Sequence, residues 1–406
     1  MKSYKVGIAR EGKVPPDFRV PLTPEQCSLV KAKFPNVEII VQNSPIRTFS
    51  DDEYRVQGIR VQEDLSECDI IMGVKEFIPE SLLPNKTYIF FSHTIKKQAY
   101  NRHLLQTILQ KKIRLIDYEV MKNRIGKRLI GFGRYAGIVG CYNGFRTMGL
   151  KNQSFRILKA SECENRIQLE EELKKVELPK NYKIILTGAG RVGYGAREIL
   201  DLLPIIEVTP EEFISKQFDQ PVFTHLGMED YYQPKDGSEF VKSDFYNNPE
   251  IYKSVFEKYA NKADMFVAGH YWSEKSPIIL PIEALQNTRL TVLADISCDI
   301  AGPLAPTIKP STVEDPIYGF DPKTGEEAPY LNAGIIAVMA VDNLPCELPK
   351  DASEDFGNEL IRSIFPALFV EDPDNIIGRA TQTSFDGELT PAFSYLNEFV
   401  GAIPNN

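Results

Sequence analysis

The sequence predicts an α/β protein of two domains, each built on a parallel sheet, with a cleft between them. Three observations carry this expectation. The chain has 406 residues, more than one core ordinarily holds and enough for two domains at roughly 100 to 200 residues each. Short apolar runs alternate with polar helical patterns through the first third, as strands joined by crossover helices do. The same alternation starts afresh at Tyr182, without an internal repeat or low-complexity tract.

In order, residues 4–9, 38–42, 70–74, 88–92 and 114–118 read as strands. Thr23 offers an N-cap with Pro24 at the first helical position, so 24–34 reads as a helix, and 97–111 reads as another. After Gly131-Phe132-Gly133, the glycines at 137, 140, 144 and 149 suggest a helix lying close against its neighbour. The second unit opens with a strand at 182–187 and continues with strand candidates at 205–208, 265–268 and 290–295. Residues 211–259 are acidic and aromatic without a clean period and read as an insertion. Residues 331–341 read as a helix, and 351–364 as another whose carboxylate-rich first turn suits the helix dipole. The expected division is 1–140 plus 338–406 for one domain and 141–337 for the other.

Composition excludes several classes. Apolar residues make up 43% and charged residues 25%, which rules out a collagen-like, disulfide-scaffold or wholly disordered chain. The 47 basic and 56 acidic side chains leave a formal charge of −9, so no nucleic-acid or anionic membrane partner is expected and bound anions need local cations. The N-terminus runs into a strand pattern without a signal core, and no apolar run reaches the ~18 residues of a spanning helix. A cytoplasmic location is expected. Cys27, Cys68, Cys141, Cys163, Cys298 and Cys346 form no C-x-x-C pair, so no metal site is expected and the thiols read as dispersed and free. His93, His103, His225 and His270 are all the histidines available for catalysis.

Gly188-Ala189-Gly190-Arg191-Val192-Gly193 follows the strand at 182–187 and precedes a helical stretch, with G-x-G-x-x-G spacing. Such glycines permit a tight turn and close approach to a pyrophosphate, while the helix N-terminus offers free N–H groups. Glu207 lies 19 residues after Gly188, about where a carboxylate accepts ribose hydroxyls. The pattern predicts a Rossmann-like domain that binds NAD or NADP; Glu207 favours NAD, whereas Arg191 and Arg197 tolerate a 2′-phosphate.

Three strand ends in the first domain carry polar groups: Lys75-Glu76, Ser92-His93-Thr94-Ile95-Lys96 and Asp117-Tyr118-Glu119. Adjacent strand ends converge on one crevice. Oxidising an amine with a nicotinamide needs a base at nitrogen and an acid–base group for imine hydrolysis, work that a Lys and a His can divide. Arg19 and Arg128 could clamp carboxylates bidentately.

At these residues the chain resembles the saccharopine dehydrogenase family, and within it the lysine-ketoglutarate reductase domain, both relatives of alanine dehydrogenase and of the soluble part of transhydrogenase. The resemblance is nearly end to end. It rests on the Arg19 segment, the Lys75 and His93 motifs, residues 116–121, Gly131-Phe132-Gly133, the glycine loop, Tyr271-Trp272, Ala294-Asp295-Ile296-Ser297, and Val341-Asp342-Asn343-Leu344-Pro345. It implies two Rossmann-like domains, the first completed by the C-terminal helices, and the reversible reaction saccharopine + NAD(P)⁺ + H₂O giving L-lysine + 2-oxoglutarate + NAD(P)H.

By motif, the resemblance makes Lys75 the base and His93 the acid–base group, with Glu119 tuning Lys75. Arg19, Lys96, Gln98 and Arg128 would line substrate carboxylate sites. The cofactor would lie against Gly188, Gly190, Arg191, Val192, Gly193, Glu207, Tyr271 and Val341, with Asp295, Asp342, Asn343 and Leu344 toward its nicotinamide end. After Ser297 the chain departs from the family with Cys298-Asp299-Ile300-Ala301-Gly302-Pro303. Two alternatives accompany this reading: an alanine dehydrogenase-like amino-acid oxidoreductase, and a nucleotide-binding sensor without chemistry. Oligomeric state is not legible.

Overall fold

The structure is a computed structural model that describes residues 2–12, 14–286 and 288–401; the last five residues of the expected 338–406 segment lie outside it. The chain divides into two compact units, Met1–Phe132 with Pro349–Asn406, and Gly133–Leu348. These boundaries differ from the expected 140/141 and 337/338. The helix Gly133–Asn152 packs against the second sheet along its length, and the chain returns to the first unit only at Pro349.

In the first unit, strands β1 (Tyr4–Ile8), β2 (Val37–Gln42), β3 (Arg60–Gln62), β4 (Ile70–Met72), β5 (Thr87–Phe90) and β6 (Arg114–Asp117) form one sheet in the order β3-β2-β1-β4-β5-β6. Every pairing is parallel. The period of two decides which core each side chain enters. Ile70, Met72 and Ile89 join one cluster, while Ile71, Tyr88 and Phe90 join the other. Both faces are therefore covered, which explains why these strands read as unbroken apolar runs.

Helix Pro24–Lys33 starts at Thr23, whose hydroxyl accepts from Gln26 N while the Gln26 side chain returns to Thr23 N. The stretch expected as a helix at 97–111 is helical only over Arg102–Gln110, after a 3₁₀ turn. Lys97 ahead of it is left-handed, with φ 54°. The C-terminal segment brings Phe356, Leu360 and Phe365 into the cluster that holds Ile70 and Met72. Ser353 Oγ accepts from Val20 N at 2.9 Å, and Gln26 Nε2 donates to Glu354 O at 2.8 Å.

In the second unit, β7 (Lys183–Thr187), β8 (Ile206–Glu207) and β9 (Val222–Leu226) precede a separate antiparallel pair, β10 (Tyr232–Pro234) and β11 (Tyr252–Ser254). Then come β12 (Met265–Ala268), β13 (Val292–Asp295), β14 (Ile317–Phe320), β15 (Glu327–Ala328) and β16 (Ile336–Met339). The sheet order is β15-β14-β16-β13-β12-β7-β9-β8, with β14 antiparallel to both its neighbours.

Two expectations are corrected here. Residues 331–341 hold a strand, because Ile336–Met339 is buried throughout and lies between β13 and β14. The segment read as an insertion contributes β9, which pairs with β7 over its whole length, while the expected strand at 205–208 is a two-residue edge.

The glycine-rich helix crosses the loop helix Arg191–Leu200 at van der Waals distance. A Cβ on Gly137 would fall on the Val192 carbonyl oxygen, a backbone atom that cannot step aside. Gly137→Ala is therefore expected to destabilise the protein by at least about 1 kcal/mol, although alanine favours a helix interior by a comparable amount. A lower urea midpoint with unchanged slope checks this.

Candidate functional site

In the first unit the strand order reverses between β1 and β4, the place where parallel sheets open a crevice at their C-terminal edge. A cavity of about 250 Å³ lies there, lined among others by Arg10, Glu11, Gln42, Glu63, Lys75 and Glu76. Glu11 receives the backbone N–H groups of Val74 and Lys75 at 2.6 and 2.9 Å, which fixes the chain on which Lys75 stands. Burial raises the Glu11 carboxyl to about 8, and the negative charge of Asp17 adds to the rise against those two hydrogen bonds.

The strands that carry these ends, β4, β5 and β6, are neighbours in the sheet. His93, just beyond β5, is left-handed at φ 52°, an unusual conformation for a residue with a Cβ. Its Nδ1 is hydrogen-bonded to Glu76 Oε1 from the end of β4, and its ring stacks on Phe91 with centroids 6.4 Å apart. With Nδ1 on a carboxylate, Nε2 is the ring nitrogen left for proton exchange. Glu119, beyond β6, approaches Lys96 Nζ at 3.7 Å, and its Oε2 is buried without a hydrogen-bond partner. The ion pair seen for Glu119 is thus with Lys96.

Arg19 differs from its expected role as an open clamp. It is 2% exposed, and its Nε and Nη2 donate to Asp17 at 2.9 and 2.6 Å. Its guanidinium also lies 4.1 Å from the Phe132 ring centre. Although burial alone would raise Asp17, Arg19 holds that carboxyl far below the usual range, and the Lys75 charge helps. Arg128 is exposed, with its guanidinium over Phe91 and its Nε donating to Ile130 O at 3.1 Å. Gln98 is exposed and accepts from Tyr100 OH at 2.6 Å.

Sequence reasoning placed Ser92, Thr94 and Asp117 at the strand ends but gave them no role, and it missed Asp17 and Gln382. Asp117 is fully buried and accepts from Ser92 Oγ at 2.5 Å, Glu119 N at 2.8 Å and Gln382 Nε2 at 2.9 Å. Gln382 Oε1 accepts in turn from Thr94 Oγ1 at 2.7 Å, so the C-terminal segment braces the turn that carries His93. The signal for Asp117 was a carboxylate inside an apolar strand, which is costly unless its oxygens are satisfied. For Asp17 it was the short spacing to Arg19.

In the second unit the loop after β7 has the geometry of a phosphate cradle. Gly188 is at φ +103°, and a Cβ on Gly193 would fall on the Gly188 carbonyl oxygen. A Cβ on Gly190, at the N-cap of helix Arg191–Leu200, would meet nothing within 4 Å. The locked glycines set the turn and the open one leaves backbone N–H groups accessible, so the loop can hold a dinucleotide pyrophosphate. Arg191 and Val192 form the first turn of that helix. Next to the loop, His270 donates or accepts at Thr187 Oγ1 (2.7 Å) through Nδ1, while its Nε2 is buried without a partner. Burial holds this imidazole near 4, hence neutral.

The remaining expected cofactor residues divide. Glu207 lies on the edge strand, separated from β7 by β9, and its carboxylate pairs with Arg197. Asp295 is fully buried and turned into its own loop, accepting from Ser297 N and Oγ, Cys298 N and Thr307 Oγ1. It shapes the 296–307 segment, in which Cys298 and Ala301 are both left-handed. Tyr271 is 87% exposed and Asp342 is exposed. Val341 and Leu344 are buried, and Asn343 is left-handed with its Nδ2 on Cys346 Sγ at 2.7 Å.

Among the described residues no group of three or more His, Cys, Asp or Glu side chains is arranged to hold a metal ion. No helix among them is long and apolar enough to cross a membrane.

Residues 7–139 match the family model for the alanine dehydrogenase/PNT N-terminal domain. The chain is 28% identical to a saccharopine dehydrogenase [NAD(+), L-lysine-forming] from Emericella nidulans, over 92% of this chain and 94% of the relative. It is also 32% identical to the alpha-aminoadipic semialdehyde synthase of Arabidopsis thaliana over 96% of its length, and it spans 41% of that relative. The fold is that of a solved L-alanine dehydrogenase, with a TM-score of 0.65 at 16% identity, covering 97% of this chain and 98% of the other.

Burial lifts the Asp117 carboxyl to about 6, against the hydrogen bonds from Ser92 and Glu119 N and aided by the Glu119 charge. A carboxyl raised on folding stabilises the folded state fully below its unfolded value near ~3.9, and that contribution is lost as pH rises through 6. Asp117→Asn should therefore flatten the fall in stability between pH 4 and 7, read from urea midpoints across that range.

Proposed function

We propose that the chain catalyses the reversible reaction saccharopine + NAD(P)⁺ + H₂O giving L-lysine + 2-oxoglutarate + NAD(P)H. The observation that carries this reading is the juxtaposition of Lys75 with the Glu76–His93 pair at the ends of neighbouring strands β4 and β5. The phosphate cradle after β7 and the NAD(+)-specified, lysine-forming fungal relative support it.

When bound, the oxidised nicotinamide supplies the hydride acceptor. Lys75 takes the proton from the secondary amine nitrogen as hydride leaves the adjacent carbon. His93 then moves protons at Nε2, first from the water that adds to the imine carbon and then to the departing lysine nitrogen. Glu76 orients the ring through its hydrogen bond to Nδ1. Lys96 and Arg128 offer cations, and Gln98 an amide, to substrate carboxylates on a chain that is acidic overall. Glu119 positions Lys96, and the Arg19–Asp17 pair sets the negative charge facing Lys75. Gly188, Gly190, Arg191, Val192 and Gly193 hold the pyrophosphate. Tyr271 is assigned to the cofactor, and Asp342 and Asn343 to its nicotinamide end.

Absorbance at 340 nm with L-lysine and 2-oxoglutarate, run with NADH and with NADPH, tests the reaction. Lysine-dependent oxidation of a nucleotide is expected; turnover only with ammonia and a short 2-oxo acid would overturn it. Lys75→Met should lower turnover by at least about a hundredfold while nucleotide binding survives. Glu76→Gln should lower kcat about tenfold or more with KM little changed and the far-UV circular dichroism unchanged.

A further inference from the structure

We propose that a cavity at the N-terminal edge of the first sheet is a second binding site, taking a small organic anion whose single carboxylate sits on Arg114. Ile70, Thr87 and Arg114 are the first residues of β4, β5 and β6, and all three line a cavity of about 520 Å³. Lys75, His93 and Glu119 follow the other ends of the same three strands. The two cavities share no lining residue, so an occupant of this one lies outside the crevice that holds Lys75.

The half-buried Arg114 is what marks the cavity as a site. Arg19, Arg47 and Arg166, which are withdrawn from water to a similar or greater degree, each pair with a carboxylate. Arg114 does not: a guanidinium carries five N–H donors, and the acceptor they reach among the described residues is Thr381 Oγ1, at a long 3.4 Å. The ionisable neighbour whose charge bears on it is the Tyr4 phenol, not an acid, and burial pulls its pKa below the ordinary value. A cation desolvated without a counter-ion is costly, and a bound carboxylate would remove that cost. The acids on the cavity wall are held elsewhere. Asp372 accepts from Ile376 N and Ile377 N at 2.7 and 2.8 Å, and Asp69 Oδ2 accepts from Lys5 N at 2.9 Å.

The lining also sets the class of ligand. Three cations, Lys2, Lys86 and Arg114, face two carboxylates, Asp69 and Asp372, which leaves one positive charge for the occupant to balance. A monoanion does so, whereas a phosphate near two negative charges would meet Asp69 and Asp372 uncompensated. Lys86 is partly engaged, its Nζ donating to Ser66 O at 2.5 Å, and Lys2 Nζ stands over the Tyr4 ring, so Arg114 is the anchor. Leu368, Ile377 and the half-exposed Phe385 give the rest of the wall an apolar surface, suited to a hydrocarbon body behind the carboxylate. The volume lies in the range of small-molecule sites.

Isothermal titration of the full chain with benzoate and with hexanoate tests this, beside benzyl alcohol and inorganic phosphate. At least one of the two carboxylates should bind saturably with a Kd of about 1 mM or tighter, and the alcohol and phosphate at least about tenfold more weakly. Arg114→Gln should weaken carboxylate binding at least about tenfold, while Lys96→Gln and Arg128→Gln, on the opposite edge, leave it unchanged. Should Arg114→Gln fail to fold, Arg114→Lys and Phe385→Ala serve in its place, each expected to weaken binding about threefold or more. Absence of saturable binding by both carboxylates, binding insensitive to the Arg114 and Phe385 variants, binding lost in Arg128→Gln, or tighter binding of phosphate would each overturn the assignment.

Discussion

In a parallel sheet every strand points the same way, so the residues leaving the strands collect along one edge. That constraint organises the first unit. Lys75, His93 and Glu119 are scattered over more than 40 residues of chain, yet they leave three consecutive strands side by side. None of the three needs a long loop to reach the others. The backbone beneath them is held by carboxylates: Glu11 grips the N–H groups of Val74 and Lys75, and Asp117 ties β6 to Ser92 and Gln382.

These buried acids are each compensated where they lie. Each is satisfied by backbone N–H groups, by a hydroxyl or by a guanidinium, so burying it costs far less than burying a bare charge. Lys96 and Arg128 are exposed, Lys96 facing Glu119 and Arg128 lying over Phe91.

Where periodicity was strong the sequence was readable. The strands of the first sheet were legible to within a residue or two, apart from β3, whose three residues Arg60–Gln62 are too short and polar to signal. The capped helix at Thr23 and the glycine loop were legible because their chemistry is local. What escaped was set by pairing. β9 reads Val-Phe-Thr-His-Leu, half polar, and only its place between β7 and β8 makes it a central strand. Missing it put Glu207 one strand too close to the loop. Ile336–Met339 was taken for a helix because a short apolar run fits either element, and burial between two strands decided it. Arg19 and Asp295 have the right residue types for ligand contacts, but their hydrogen bonds are made inward, which only coordinates disclose.

The discontinuity of the first unit bears on the order of events during synthesis. Its larger core needs Phe356, Leu360 and Phe365, which are translated after the whole of the second unit, Gly133–Leu348. As the chain emerges, residues up to Phe132 therefore wait with one sheet face only partly covered while the second unit is translated behind them. For that interval Ile70, Met72 and Ile89 lack their partners Phe356, Leu360 and Phe365, and exposed apolar surface of this kind is prone to aggregation.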